Sequence, residues 1–287
     1  MARNNSSRLG TPGADLPEDA NPPIPSLDLE NNSLSFAVPT EFVELPSRGL
    51  YYAEGHPLYN QSVVEIRHMT AKDEDILSSR ALLKQGIAID RFLKSILINK
   101  SIDIGSLLVG DKNAILIAAR ISGFGAEYDT KIICTTCFSH GRHVFNLAEA
   151  TVKHGDDFGE LEVSRNEKGN IVFLVPKTKV HVECRMLTGF HEKQLIAQRQ
   201  RAEKQKLPDR TTTNQLMVAI VSVNGHHEKD LIKKFVDTMP IVDSRYIRKA
   251  IEICSPDIEI HDFFECDECG AGADMEVPFT ADFFWPK

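Results

Sequence analysis

Two Cys-x-x-Cys pairs, Cys134 with Cys137 and Cys266 with Cys269, are the residues of this chain best suited to do chemistry. Four thiolates can bind zinc in a closed tetrahedral site, and one Cys-x-x-Cys turn supplies only two of them. Each pair follows a short apolar run and precedes a glycine-containing turn and a second strand-like segment. This pattern predicts half of a zinc ribbon at each pair, with one structural Zn2+ bound by all four cysteines.

The two pairs lie far apart, because the 128 residues from 138 to 265 separate them. Continuous zinc ribbons usually place about 15 to 20 residues between their pairs, so a shared site needs a reason for the longer separation. An internal duplication supplies one, since each copy would then end in one half of the ribbon.

Features upstream of the two pairs recur in the same order. Asp111 stands 23 residues before Cys134, and Asp243 stands 23 residues before Cys266. Apolar residues at helical spacing follow each aspartate, which predicts two equivalent amphipathic helices. We therefore predict an internal duplication, and the alternative is two unrelated helical segments in one domain.

Near the start of each copy, a strand is predicted to end at a helix N-terminus. Thr70 and Thr188 follow strand-like segments, and a threonine hydroxyl can accept a hydrogen bond from a free backbone N–H there. Asp73 stands at the capping-box distance from Thr70, whereas His191 occupies the matching position after Thr188. Only the first copy thus has an acidic residue at this distance.

These observations predict an α+β fold built from two tandem pseudo-repeats, each with a strand, helices and half of the zinc ribbon. The first repeat spans residues 34–150 and the second spans 151–287, and the second also contains an inserted β-hairpin. Residues 1–33 are rich in Asn, Ser, Pro and Gly, a composition typical of a flexible N-terminal tail.

Hydrophobic periodicity and turn residues give the predicted elements. In the first repeat, strands are predicted at 42–45 and 63–67, and helices at 70–84, at 89–97 and after Asp111. In the second repeat, the hairpin combines 161–163 with 170–175, a third strand covers 179–187, and a helix covers 189–206. A further helix is marked by Leu216, Met217, Ile220 and Val221.

Two other interpretations of the cysteine pairs stay open. Cys134 and Cys137 could bind a metal locally with His140 and His143, although the second pair has no histidines at the matching positions. A redox pair fits less well, because such pairs begin a helix that lowers the thiolate pKa. The pairs of this chain lie between predicted strands.

Composition disfavours several classes of function. No apolar run reaches the roughly 18 residues of a membrane-spanning helix, and the polar start lacks a signal-peptide core. We therefore expect an intracellular protein or part of an assembly. The net charge of −8 disfavours non-specific nucleic-acid binding. Six cysteines in a reducing compartment favour metal over disulfides, and Cys184 and Cys254 fall on apolar faces typical of core residues.

The sequence carries no recognisable catalytic motif. It has no His-Glu-x-x-His, no phosphate-binding Gly-Lys-Ser/Thr loop and no nucleophile-elbow serine. An exposed loop between helices explains His226, His227 and Glu228, and a closed four-thiolate site has no open position for water or substrate. We therefore predict that the protein is not an enzyme.

Basic residues are concentrated in the Gln-rich segment 193–206. A solvated helix face explains them, and an anionic contact surface is the other interpretation. Together with the ribbon, this segment motivates an alternative function, a zinc-ribbon adaptor that binds nucleic acid.

Several short motifs occur along the chain in a fixed order. They are Glu44-Leu-Pro-Ser-Arg-Gly-Leu-Tyr51, Arg67-His-Met-Thr-Ala-Lys-Asp-Glu74, Leu108-Val-Gly-Asp111, Arg120-Ile-Ser-Gly-Phe-Gly125, the pair Cys134 and Cys137, Val277-Pro-Phe279 and Asp282-Phe-Phe-Trp-Pro286. In combination these motifs resemble the T4-type bacteriophage baseplate hub and hub-assembly protein family. The resemblance extends from about residue 36 to the C-terminal end.

This resemblance implies a structural or assembly role, without catalysis, in the tail baseplate of a contractile-tailed phage. The implied partners are other baseplate hub and tail proteins, and the implied location is the virion tail or, during assembly, the host cytoplasm. The family includes both virion components and assembly factors, and the motifs do not separate these roles. The aromatic residues Phe279, Phe283, Phe284 and Trp285 fit either an exposed docking segment or core packing.

Overall fold

Helices and short antiparallel strands alternate along the chain in the computed structural model, which describes residues 38–208, 210–277 and 281–284. The predicted flexible tail, residues 1–33, lies outside the described residues, as do Phe279 and Trp285. Within the described part of the chain, no helix is both long enough and apolar enough to cross a membrane.

The first half of the described chain forms two hairpins with helices between them. Its elements are β1 (Thr40–Glu44), β2 (Val63–Arg67), α1 (Ala71–Ser78), α2 (Arg80–Gln85), α3 (Ala88–Ile96), α4 (Val109–Phe124), β3 (Glu127–Ile133) and β4 (His140–Asn146). The predicted strands and helices are present, except that the helix predicted at 70–84 is broken at Ser79. Ser79 has an extended backbone and separates α1 from α2.

The second half has a similar order with extra strands. Its elements are β5 (Thr151–Lys153), β6 (Val163–Arg165), β7 (Ile171–Leu174), β8 (His181–Cys184), α5 (Gly189–Lys204), α6 (Thr211–Ala219), β9 (Ile220–Val223), α7 (Lys229–Thr238), α8 (Ile241–Cys254), β10 (Asp257–Glu259), β11 (His261–Glu265) and β12 (Gly272–Glu276). The helix predicted through Ile220 and Val221 is wrong there, because both residues belong to β9, which pairs with β8.

The strands form small antiparallel sheets, so the predicted α+β class is confirmed. A four-stranded sheet has the order β6-β7-β8-β9, and the two-stranded sheets are β1-β2, β3-β4, β5-β10 and β11-β12. The β5-β10 sheet pairs the start of the second half with the segment that follows α8, with Lys153 opposite Asp257. The repeat boundaries at 34–150 and 151–287 stay predictions.

One buried hydrophobic cluster extends through both halves. In α3, Phe92, Leu93 and Ile96 are fully buried, as expected for an apolar stripe at helical spacing. In β3 the burial alternates residue by residue, because successive side chains of a strand point to opposite faces. This alternation gives the β3-β4 hairpin one face for packing and one for solvent.

Two buried aspartates, one in the first turn of α4 and one in the first turn of α8, each hold the turn of an earlier hairpin by hydrogen bonds. Asp111 accepts hydrogen bonds from the Ser47 N–H at 2.9 Å and from the hydroxyls of Ser47 and Tyr52 at 2.6 and 2.7 Å. Asp243 accepts from the N–H groups of Lys177 and Thr178 and from the Thr178 hydroxyl. Each helix is thereby fixed to the hairpin that precedes it.

Both predicted threonine caps form. The second also has a complete capping box, although the residue at the capping-box distance is a histidine and not an acid. Asp73 completes a capping box with Thr70, and His191 completes one with Thr188 through its Nδ1 atom. An acidic residue is therefore not needed for the box, because a neutral imidazole nitrogen also accepts the Thr188 N–H.

Gly110, in the first turn of α4, marks the closest approach between α4 and the segment before β10. A Cβ atom there would overlap the Pro256 carbonyl oxygen and stand 2.7 Å from Asp257 Cα. Gly110→Ala is expected to lower the free energy of unfolding by about 1–3 kcal/mol, despite the higher helix propensity of alanine. Chemical denaturation of the wild type and the variant measures the difference in the free energy of unfolding. Gly123→Ala is the control, because it meets only the movable Met69 side chain, and an equal loss in both variants would contradict the prediction.

Asp73 should make stability depend on pH. Burial opposes its ionisation, but hydrogen bonds from Arg67, Ser95 and Thr70 outweigh burial and lower the pKa of Asp73. Its contribution, about 1.5–3 kcal/mol for hydrogen bonds to a charged group, is therefore complete above the unfolded-state pKa of about 3.9 and declines as the pH falls towards the folded-state value. Denaturation of the wild type and Asp73→Asn should differ more at pH 7 than at pH 3. An undiminished difference at pH 3 would count against this assignment.

Candidate metal centre

The β3-β4 and β11-β12 hairpins pack against each other through their inner faces. A Cβ atom at Gly141 would stand 3.3 Å from the Phe264 ring, so glycine leaves room for this ring. His143 lies edge-on to the same ring, with centroids 5.9 Å apart. Its Nε2 atom is also 2.9 Å from Asp262 Oδ2. One apolar and one polar contact thus fix the two hairpins relative to each other.

Each hairpin turns through a cysteine knuckle of the same backbone geometry. The N–H of Phe138 donates to the Cys134 carbonyl at 3.0 Å, and the N–H of Gly270 donates to the Cys266 carbonyl at 2.8 Å. Phe138 and Gly270 both have a left-handed backbone, with φ of 59° and 67°. Glycine adopts this conformation freely, whereas Phe138 adopts it at a cost and leaves its ring 74% exposed.

The packing of the hairpins brings the four predicted cysteines together. Their sulfur atoms all lie within 4.8 Å of one another. Across the interface, Cys134 Sγ is 3.8 Å from Cys269 Sγ, and Cys137 Sγ is 3.7 Å from Cys266 Sγ. These separations match the edge of about 3.8 Å in a tetrahedron with metal–sulfur bonds of about 2.3 Å.

The same distances exclude disulfides in this structure. A disulfide needs a sulfur–sulfur bond of about 2.05 Å, and all six cysteines are free. The cluster could therefore hold a metal ion with two ligands from each hairpin. One cysteine of each pair is buried and the other is exposed, so the cluster lies at the surface end of the hairpin interface.

Hydrogen bonds favour the thiolate form on one side of the cluster. The Ser139 hydroxyl is 3.0 Å from Cys137 Sγ and 3.3 Å from Cys266 Sγ. The hydroxyl of Ser139, followed by the N–H groups of Cys269 and Glu268, lowers the pKa of Cys266 to about 6. Ser139 also lowers the pKa of Cys137.

The pKa of Cys269 shifts in the opposite direction. The N–H of Ala271 favours its thiolate, but hydrogen bonds with Cys137 and Cys266, together with burial, outweigh this effect and raise the pKa of Cys269 to about 12. Neighbouring sulfurs thus compete for protons, because adjacent thiolates repel each other. A coordinated cation would remove this competition, since coordinating thiols are deprotonated.

The histidines of the alternative local site do not join the cluster. His140 is exposed on the solvent face of β4, opposite Ile133. His143 lies on the inner face and contacts Asp262. Among the described residues, the only group of His, Cys, Asp or Glu side chains that could hold a metal is the set of four cysteines.

Cys184, Cys254, His226 and His227 lie outside the cluster, in the core and in an exposed turn. Cys184 and Cys254 are fully buried, and burial raises the pKa of both thiols. His226 and His227 are exposed in the turn after β9, where His226 Nδ1 is 3.7 Å from a Glu228 oxygen.

The C-terminal aromatic residues inside the described range pack in the core. Phe283 and Phe284 are 3% and 4% exposed, and their rings contact Tyr128 and Phe92. The buried Arg120 donates to the Phe283 carbonyl at 2.8 Å. The docking interpretation is therefore wrong for Phe283 and Phe284.

Sequence reasoning missed two features of the centre, Ser139 and the pair of His143 with Asp262. Strand alternation does place His143 on the inner face, opposite Thr130. No pattern in the sequence connects it with Asp262, because that contact depends on how the hairpins pack. Four thiolates would fill a tetrahedral shell and leave no position for water or substrate, so the arrangement suits a structural role.

Comparison with known families identifies most of the chain. The family model described as T4 bacteriophage base plate protein matches residues 40–285. No curated protein and no solved structure matches.

Proposed function

Because the chain belongs to the T4 bacteriophage base plate protein family, we propose that it is a non-enzymatic structural or assembly component of the baseplate hub of a contractile phage tail. In this role it binds other hub and tail proteins, in the virion or in the host cytoplasm during assembly. The family match over residues 40–285 carries this proposal. The family match supports a structural component of the phage base plate. The hub position and the binding partners are our inference beyond that match.

We further propose that Cys134, Cys137, Cys266 and Cys269 bind one structural Zn2+. The donor set supports zinc, because four thiolates in a tetrahedron are a common zinc ligand set, and the sulfur separations of 3.7 and 3.8 Å fit its bond length. The ion would tie the β3-β4 hairpin to the β11-β12 hairpin. Structural zinc of this kind contributes on the order of 10 kcal/mol to apparent folding free energy.

The outer faces of the two hairpins support a role in protein binding. Ile133 and Val144 lie on the solvent face of the β3-β4 hairpin and are 52% and 51% exposed. Phe138 in the first knuckle and Phe263 in β11 are 74% and 65% exposed. These exposed apolar residues are distributed over both hairpins, and we infer that they are candidate contact points for other tail proteins. A zinc ion would fix the two hairpins, and with them these residues, relative to each other.

The alternative, a zinc-ribbon adaptor that binds nucleic acid, has weaker support. Two of the basic residues on α5 are engaged by carboxylates, since Lys193 pairs with Asp90 and Arg199 pairs with Glu203. The net charge of −8 also opposes a polyanion. Salt-sensitive binding to DNA or RNA would favour this alternative.

Zinc content tests the shared site. The purified wild-type protein is expected to contain about one zinc per chain, and Cys134→Ser and Cys266→Ser should each lose it, because each removes one of four ligands to the same ion. Elemental analysis by mass spectrometry measures the ratio. Cys254→Ala is the control, since Cys254 is buried at the end of α8 and is not one of the four clustered cysteines, and it should keep the metal. If one ligand variant retains full zinc while the other loses it, the site is not shared.

Association with tail proteins tests the base plate role. The tagged chain is expected to co-purify with other tail proteins from infected cells, and quantitative mass spectrometry of mature particles and of the lysate then distinguishes a virion component from a transient assembly factor. Absence of every tail protein from the purified material would overturn the proposed role, whatever the zinc content.

A further inference from the structure

A groove bordered by α5, α6, α7 and β9 has a basic lining. Its volume is about 370 Å³, and we call it the α5-α7 groove. The side chains that give it its character are Arg185, Gln198, Arg210, His227, Lys229 and Lys233. Asp237 is the one carboxylate among the described lining residues. The groove is therefore locally cationic on a chain of net charge −8.

Arg185 in this groove lacks a counter-charge within the described part of the chain. Its Nε atom is buried without a hydrogen-bond partner, and its guanidinium takes part in none of the ion pairs formed there. Glu183, two residues earlier, is already engaged by the side chains of Asn166, Asn170 and Ser222. A buried unpaired polar group is costly, so an unpaired arginine requires an explanation.

Gln198 supplies a second unsatisfied group in the same groove. Its Oε1 atom is buried and has no partner among the described residues. The amide can be turned over so that its NH2 group occupies this position. In that orientation Gln198 becomes a second donor in the groove that Arg185 also lines.

The other copy of this local structure contains the partner that Arg185 lacks. Arg67 stands three residues before the capping Thr70, as Arg185 stands three before Thr188. Arg67 donates both Nη groups to the Asp73 carboxylate, at 2.6 and 2.9 Å. Asp73 is the third residue of its helix, so this arginine is neutralised by its own chain.

In the second half of the chain, the third residue of α5 is His191. Its Nδ1 atom accepts the Thr188 N–H at 3.1 Å, so the ring is neutral on that nitrogen. Burial, and then the charge of Arg185, lower the pKa of His191. The imidazole therefore replaces the cap of Asp73 without replacing its negative charge.

We propose that Arg185 and the α5-α7 groove bind a carboxylate side chain from an acidic segment of a partner protein. The Arg67–Asp73 pair shows the geometry, in which a planar guanidinium meets a carboxylate through two hydrogen bonds. The incoming carboxylate supplies from the groove side the negative charge that Asp73 supplies to Arg67, because His191 itself fills the position equivalent to Asp73. This inference is independent of the metal centre and of the base plate role.

The direct test uses a fluorescein-labelled peptide of six glutamates and the full-length protein as purified. Fluorescence anisotropy should show binding that a peptide of six glutamines does not show. Arg185→Gln should weaken binding at least about tenfold, the change expected for losing a hydrogen bond to a charged group. Arg199→Gln is the matched control, because Arg199 is exposed on α5 and pairs with Glu203 outside the groove lining. Equal weakening in both variants would overturn the proposal.

A second variant keeps the test decisive even if Arg185→Gln fails to fold. His191→Asp places a carboxylate at the position of Asp73, where it should pair with Arg185, raise the thermal midpoint and abolish peptide binding. Gln200→Asp adds the same charge on an exposed part of α5 and should leave binding nearly unchanged. Wild-type affinity in His191→Asp would refute the inference. So would displacement of the peptide by an equal concentration of inorganic phosphate or duplex DNA, which would indicate a phosphate site.

Discussion

The meeting of four sulfur atoms within 4.8 Å is the constraint on which the rest of the structure depends. The two knuckles are far apart in the sequence, so both hairpins must be placed to within fractions of an ångström by the elements before them. Asp111 and Asp243 fix α4 and α8 to the preceding turns, and β5 pairs with β10 beside them. Gly141 and Phe264 then close the hairpin interface.

The cysteine knuckles and their hairpins could be predicted because their signals are local. A Cys-x-x-Cys turn between apolar strands specifies its own backbone, and alternation within the strands specifies which face is buried. The equal spacing of Asp111 and Asp243 from the cysteines also predicts the helices that precede the two hairpins. The cluster follows from these local predictions only with the added hypothesis of duplication.

The features that the sequence did not reveal depend on tertiary contacts. Ile220 and Val221 have helical spacing with Leu216, but both belong to β9, in which Ile220 pairs with Cys184 of β8 and Val221 lies at an irregularity of the register. The sheet therefore prevails over periodicity. Phe283 and Phe284 are aromatic residues near a chain end, and only the buried Arg120 and the neighbouring rings show that they belong to the core. The charge of the α5-α7 groove depends on a difference between two similar caps, since Arg67 pairs with Asp73 whereas Arg185 faces the neutral His191.

The two halves use similar devices with different consequences. In one, Asp73 neutralises Arg67 beside the threonine cap, and in the other His191 takes the capping position and leaves Arg185 without a carboxylate partner among the described residues. X-ray absorption spectroscopy at the zinc edge shows whether both hairpins supply the ligands of one ion. Four sulfur scatterers at about 2.3 Å are expected. A shell of two sulfurs with two nitrogen or oxygen atoms would contradict a shared site, because each cysteine pair would then bind metal without the other.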